Sequence, residues 1–205
     1  MNTRDQIIRC GLRELERTGL NAFSVRATGA AAGLSAMAMY RHFKNNDDLL
    51  RAIGEDAFAV YHQRISAIQE PSLVRYFQKV ARAYVEFSLD DPGRFEACFV
   101  FKTQVERIYP RDFREGKSPV IALMVARLRE AQTQGLIAPV DPVEAALLLW
   151  AQVHGIVMLY RAGRMSLPRA AYLRLVQNST TRFLRSFESM PAAPRRKNKT
   201  QKTNQ

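Results

Sequence analysis

The sequence predicts an all-α fold, and three observations support that prediction. Apolar residues recur at helical spacing along most of the chain, and no segment shows the two-residue alternation of a β-strand. Only a few residues separate successive helical segments, as in compact helical proteins. Hydrophobic residues make up 47% of the 205 residues and charged residues 24%, which is ordinary for a globular protein. This composition excludes collagen-like, disulfide-scaffold and wholly disordered chains.

Nine helices are expected, and the first four lie close to the N-terminus. Gly19 ends the first helix, since glycine commonly follows a helical C-terminus. Ser24 and Ser35 are N-cap residues for the second and third helices, and Gly33 separates those two helices. Asn45 or Asn46 is the N-cap residue of the fourth helix. These four helices are predicted at residues 3–18, 25–32, 36–43 and 46–68.

Five further helices follow, predicted at residues 72–89, 94–102, 119–134, 142–161 and 168–187. A polar segment at 109–118 contains proline and glycine and is predicted to be a loop. The apolar run at 145–160 is interrupted by Gln152 and His154. A membrane-spanning helix needs about 20 mostly apolar residues, so this run is interpreted as a buried core helix.

The formal net charge of +12 and the isoelectric point near 10.2 favour an anionic partner. Nucleic acid is the first candidate and an anionic membrane surface the second. Three regions are expected, at residues 1–50, 51–188 and 189–205. The last region is basic, cannot bury a core and is predicted to be disordered. Its charges either attract phosphates or only keep the terminus soluble, and both interpretations stay open.

The second helix, the Gly33-Leu34-Ser35 turn and the third helix have the spacing of a helix-turn-helix. Leu34 and Met39 are expected to pack the two helices together. The third helix would then enter a DNA major groove. There Arg41 can donate hydrogen bonds to guanine or to phosphate.

Residues 19–53 resemble the DNA-binding domain of the tetracycline-repressor (TetR) family. The resemblance is carried by four motifs: Phe23-Ser24-Val25-Arg26, Ala31-Ala32-Gly33-Leu34-Ser35, Met39-Tyr40-Arg41-His42-Phe43 and Leu49-Leu50. The residues expected to contact DNA are Ser24, Arg26, Ser35, Ala36, Met37, Ala38, Tyr40, Arg41, His42 and Lys44.

Two departures from the family pattern stand out. Thr28 and Gly29 replace the usual aliphatic residue and alanine, and glycine lowers helix propensity by about 1 kcal/mol. Asn46 replaces the family's lysine at the start of the fourth helix, and that phosphate contact is in doubt. Lys44 is the candidate replacement.

Trp150, His154 and Gly155 resemble the regulatory domain type named for its Trp-His-Gly motif. Trp150 and His154 are four residues apart and therefore share one helical face, and Gly155 would permit close helix packing. The resemblance implies an all-helical domain that binds a ligand and dimerises. By the same analogy, the eighth and ninth predicted helices would pair with their copies in a homodimer.

Seven residues are candidates for an effector pocket: Tyr84, Phe87, Phe95, Phe99, Trp150, His154 and Met158. Such residues can equally form an ordinary core, and both interpretations stay open. A buried Glu96 would select a cationic effector, whereas on a solvated face it would have no such role.

The sequence therefore predicts a sequence-specific regulator of transcription, most simply a repressor released from a palindromic operator by a small molecule. Two alternatives remain. One is a non-specific DNA-binding protein that uses its basic tail, and the other is a helical ligand-binding protein with a vestigial helix-turn-helix.

No catalysis, metal or cofactor is expected. Cys98 and His154 could form a thiol nucleophile and its base, but no sequence motif supplies an oxyanion hole or an orienting acid. The three histidines are scattered. Free thiols and the absence of an apolar N-terminal signal core predict a cytoplasmic protein.

Overall fold

The computed structural model describes residues 2–103 and 105–187, and these residues contain helices and no strand. The predicted all-α fold is confirmed, with ten α-helices rather than nine. A short 3₁₀ turn at Leu20–Ala22 follows the first of them. The helices are α1 Thr3–Thr18, α2 Val25–Ala31, α3 Ala36–His42, α4 Asn46–Ser66, α5 Leu73–Asp90, α6 Pro92–Phe99, α7 Arg111–Arg114, α8 Pro119–Thr133, α9 Pro142–Arg161 and α10 Arg169–Arg185.

The additional helix, α7, lies within the segment predicted to be a loop. Asp112 organises this single turn, because its carboxylate accepts a hydrogen bond from the Ile108 amide at 2.8 Å. Its carbonyl accepts another from the Lys117 amide, also at 2.8 Å. Contact with Arg111 lowers the pKa of Asp112 to about 2. A turn held by one side chain is too short to show helical periodicity.

One continuous apolar core joins α1 to α10. The first helix packs against α2, α4 and α6, while α5 packs against α10 and α8 against α9. Helix α4 runs without a break through the expected domain boundary at residue 50. The N-terminal and larger regions are therefore joined by a rigid helix rather than by a linker. The predicted tail lies outside the described residues.

Helix α9 departs from the expected buried core helix. It is the one described helix that is long and apolar enough to cross a membrane, yet only 33% of its most apolar window is buried. Leu149, Val153 and Val157 face the core. The opposite side exposes a stripe of leucines and small residues: Leu148, Ala151, Gly155 and Leu159. Among residues 2–103 and 105–187, a Cβ at Gly155 would meet no neighbour within 4 Å, so this glycine permits no close packing against them.

Candidate DNA-binding surface and effector cavity

The turn between α2 and α3 has the predicted helix-turn-helix geometry. Gly33 has a φ of +70°, which favours glycine. The Leu34 amide donates to the Gly29 carbonyl at 2.9 Å. Met39 is fully buried beneath α2. A Cβ at Gly29 would lie only 2.5 Å from Met39 Cγ, so the unusual glycine makes room for this methionine.

The outer face of α3 is open to solvent. Met37 is 78% exposed and Tyr40 57% exposed, and Arg41 and His42 are exposed beside them. Within the described residues, no carboxylate forms an ion pair with Arg41. An uncompensated cation next to an exposed aromatic hydroxyl suits phosphate and base edges.

The other predicted DNA contacts surround this face. Arg26, Ala36 and Lys44 are exposed, as is Ser35, while Ser24 and Ala38 are half-buried. The Ser24 and Ser35 hydroxyls accept hydrogen bonds from the Ala27 and Ala38 amides at 3.1 and 3.2 Å. Both serines thus cap the helices that present the remaining residues, and their contact with DNA stays a prediction.

Asn46 has a structural role that sequence analysis missed. Its Oδ1 accepts from the Val25 amide at 2.8 Å, and its Nδ2 donates to the Phe23 carbonyl at 3.2 Å. These two bonds fasten the first turn of α4 to the start of α2. The residue that stands where the resemblance implies a phosphate-binding lysine therefore positions the helix-turn-helix. Its pairing across 21 and 23 residues leaves no local signal in the sequence.

Replacing Asn46 by alanine is expected to destabilise the protein by about 1–3 kcal/mol, because each lost hydrogen bond contributes about 0.5–1.5 kcal/mol. The Val25 amide should also exchange its hydrogen faster. Urea unfolding and amide hydrogen exchange measure the two effects. Asn21→Ala, at an exposed position, is the matched control. Equal stability and equal Val25 exchange in both variants would contradict the role assigned to Asn46.

Replacing Tyr40 by alanine is expected to weaken operator binding by about 1 kcal/mol or more, roughly a fivefold loss of affinity. Fluorescence anisotropy on a footprinted operator measures this loss. Tyr109→Ala, which removes an exposed tyrosine far from α3 in sequence, should leave the affinity unchanged. An operator affinity equal to that of the unaltered protein in Tyr40→Ala would contradict the assignment of α3 as the reading helix.

The larger region contains a cavity of about 570 Å³. Tyr84, Phe99, Trp150 and His154 line it, as four of the seven candidate residues. Contrary to expectation, Phe87, Phe95 and Met158 are outside the lining. Phe87 and Phe95 are fully buried in the core instead. Four aromatic residues that were not among the candidates also line the cavity: Phe58, Tyr61, Phe77 and Phe113.

Tyr84 and His154 form a polar contact in the cavity wall. The Tyr84 hydroxyl lies 2.7 Å from Nδ1 of His154, and the Trp150 ring lies beside the imidazole with ring centroids 5.6 Å apart. Burial raises the pKa of Tyr84 well above its ordinary value and lowers the pKa of His154. Both side chains are therefore neutral near pH 7.

The remaining charged and reactive candidates have different surroundings. Glu96 is half-buried, forms an ion pair with Arg161 and is outside the cavity lining, so it does not select a cationic ligand there. Cys98 lines the cavity, and burial raises the pKa of its thiol. The described residues contain no cluster of three potential metal ligands.

A loop closes one side of the cavity and contacts α4. Phe101, Arg107 and Ile108 line the cavity from this loop. A Cβ at Gly54 of α4 would lie 2.6 Å from Thr103 Oγ1 and 2.8 Å from Val105 Cγ2. The cavity wall thus packs directly on the helix that begins beneath the helix-turn-helix.

Comparison with known families agrees with this arrangement. A family model described as "Bacterial regulatory proteins, tetR family" matches residues 7–53. A second, "Tetracyclin repressor-like, C-terminal domain", matches residues 77–183. The finer resemblance to the Trp-His-Gly type stays a prediction. The comparison with curated proteins gives no match.

Several solved structures are similar over nearly the whole chain. A protein of unknown function from Rhodococcus sp. RHA1 is 25% identical with a TM-score of 0.75, covering 92% of this chain and 97% of that chain. A TetR-family regulator from Pectobacterium atrosepticum is 22% identical with a TM-score of 0.67, covering 92% and 95%. AibR, solved with isovaleryl coenzyme A and operator DNA, is 18% identical with a TM-score of 0.65, covering 87% and 97%. The two family matches establish that the chain belongs to the TetR family of DNA-binding transcriptional regulators.

Proposed function

We propose that this regulator is a homodimeric repressor that leaves a palindromic operator when a small molecule occupies the cavity. One observation carries the proposal: a single helix, α4, connects the two sites. Asn46 fastens its first turn to α2, while Phe58 and Tyr61 further along it line the cavity. A change in the cavity can therefore reach the helix-turn-helix through a rigid element.

DNA recognition would use two copies of α3. In dimeric helix-turn-helix proteins the recognition helices read half-sites about 34–36 Å apart, one turn of DNA. The exposed face of Met37, Tyr40 and Arg41 supplies the contacts in each half-site. Two identical subunits related by a twofold axis require an inverted repeat.

The second copy would cover α10 and the exposed side of α9. These two helices are the eighth and ninth helices predicted from sequence. The exposed stripe of Leu148, Ala151, Gly155 and Leu159 is apolar, so its burial against a second copy would be favourable. Its small residues, Ala151 and Gly155, would let the partner helix approach closely. The free space around Gly155 would be filled by the partner helix. A cytoplasmic protein that buries this stripe in a dimer has no need of a membrane.

Release would be a shift between two arrangements of the dimer. An effector can shift that balance only if it binds the two arrangements with unequal affinity. Phe101 and Ile108 line the cavity, and Thr103 and Val105 from the same loop contact Gly54 of α4, so an occupied cavity favours a different position of this helix. AibR, whose structure holds both a small molecule and operator DNA, supports this combination of sites. The function requires no catalysis, metal or cofactor.

Selection of bound sequences from random duplex DNA tests the proposal. Full-length protein and a form ending at Met190 are compared at near-physiological salt. Enrichment of the same inverted repeat by both is expected. Retention that depends only on the basic tail, without enrichment, would instead support non-specific binding. No binding by an intact dimer would support a vestigial helix-turn-helix.

A further inference from the structure

The cavity described above has a shape and a polarity that restrict the class of molecule it can hold. Its volume of about 570 Å³ falls in the usual range for small-molecule sites, about 300–1,000 Å³. Phe58 and Phe99 meet edge to face with ring centroids 5.5 Å apart, and the Trp150 ring lies 6.1 Å from that of Phe99. Flat rings on several sides favour a planar, largely apolar ligand.

The hydrogen bonds of Tyr84 determine which ring nitrogen of His154 carries the proton. The Tyr84 side chain is buried, so its hydroxyl hydrogen needs an acceptor inside the protein. The Tyr84 hydroxyl hydrogen then has one acceptor among the described residues, Nδ1 of His154 at 2.7 Å. We assign the proton of neutral His154 to Nε2 on this basis.

This assignment leaves a hydrogen-bond donor for a ligand. Nε2 of His154 has no hydrogen-bond partner within residues 2–103 and 105–187. The imidazole lines the cavity and is surrounded by the rings of Phe95, Phe99 and Trp150. A donor in such apolar surroundings favours an uncharged acceptor such as a carbonyl oxygen.

The charged lining is confined to one segment of the cavity wall. Lys102, Glu106 and Arg107 lie within six residues of one loop. Arg107 donates to the Lys117 carbonyl at 2.9 Å, and Glu106 accepts from the Thr103 amide at 2.8 Å. Burial raises the pKa of both the Cys98 thiol and the Tyr61 hydroxyl, so these groups are neutral. The rings that lie beside the His154 ring, those of Tyr84, Phe95, Phe99 and Trp150, carry no charge.

We propose that the cavity takes a planar, largely apolar molecule whose buried part is uncharged and carries a carbonyl oxygen that accepts the Nε2–H of His154. Ketones and quinones of two or three fused rings are the ligand class. This inference rests on the effector role proposed for the same cavity. In this proposal the Tyr84–His154 pair selects acceptor over donor ligands and neutral over charged ligands.

Three compounds with one bicyclic skeleton test the proposal: 1-tetralone has a carbonyl acceptor, tetralin has none, and 2-aminotetralin is a cation near neutral pH. Calorimetric titration of the full-length protein measures each affinity without DNA. We expect 1-tetralone to bind about threefold to tenfold more tightly than tetralin, as one hydrogen bond contributes. We expect 2-aminotetralin to bind more weakly than either.

Two variants locate the effect. His154→Phe should retain tetralin binding and lose the preference for 1-tetralone. Tyr84→Phe should reduce that preference, because without the Tyr84 hydroxyl the imidazole proton can occupy Nδ1 instead of Nε2. Far-ultraviolet circular dichroism and thermal melting confirm that both variants fold. Tetralin binding as tightly as 1-tetralone, tightest binding of 2-aminotetralin, or no binding of the two neutral compounds would each overturn the proposal. Since no DNA is present, these outcomes are independent of whether an operator is found.

Discussion

Glutamates introduced at Leu148 and Leu159 of α9 are expected to convert the dimer to monomers and to weaken operator binding by about 100-fold or more. Both leucines are exposed in the isolated chain, so their replacement leaves its core intact. In a dimer, four added carboxylates would face one another across an apolar interface. A monomer binds one half-site at a time and loses the high effective concentration of the second, which is worth 10²–10⁴ in affinity.

Analytical ultracentrifugation and operator titration measure the two effects. Leu136→Glu is the matched control, because Leu136 is 54% exposed and lies outside the α9 stripe. This control should stay dimeric and bind the operator normally. A dimer that persists in the double variant would place the partner surface elsewhere on the chain.

Replacing Gly54 by valine is expected to destabilise the protein by about 1–3 kcal/mol, the usual cost of overpacking a close contact. The new Cβ would start 2.6 Å from Thr103 Oγ1, so either α4 or the cavity loop must move. The melting temperature should fall by about 2–4 °C for each kcal/mol lost. Hydrogen exchange should increase at the amides of Thr103 and Val105.

Ala59→Val is the control for this second change, because Ala59 is an exposed residue of the same helix. It introduces the same side chain at a solvent-exposed position, and should cost only the lower helix propensity of valine, a few tenths of a kcal/mol. Equal melting temperatures and equal loop exchange for the two variants would show that the loop does not pack on α4 through Gly54.

The helix-turn-helix could be predicted from sequence because its signals are local. Ser24 and Ser35 cap the helices that follow them, and Gly33 takes the left-handed conformation between the helices. Each signal acts within three or four residues, and the apolar period places Met39 inward. The structure adds the reason for Gly29, whose close approach to Met39 depends on the packing of two helices.

The cavity was only partly predictable. The helical period distinguishes buried from exposed residues, but it does not distinguish a residue packed in the core from one that borders a cavity. Tyr84 and Phe87 are three residues apart and both are buried, yet only Tyr84 borders the cavity. Phe113 reaches the wall from α7, the one-turn helix that has no periodic signal. The exposure of one side of α9 was not predictable from its composition either, because an apolar helix can pack against its own chain or against a second copy.

The proposed dimer requires two copies of α3 to read one duplex from the same side. Hydroxyl-radical footprinting of a selected duplex by full-length protein shows whether they do so. We expect two protected patches about 34–36 Å apart along the helix axis, related by the twofold symmetry of an inverted repeat. A single protected patch, or uniform protection along the duplex, would contradict it.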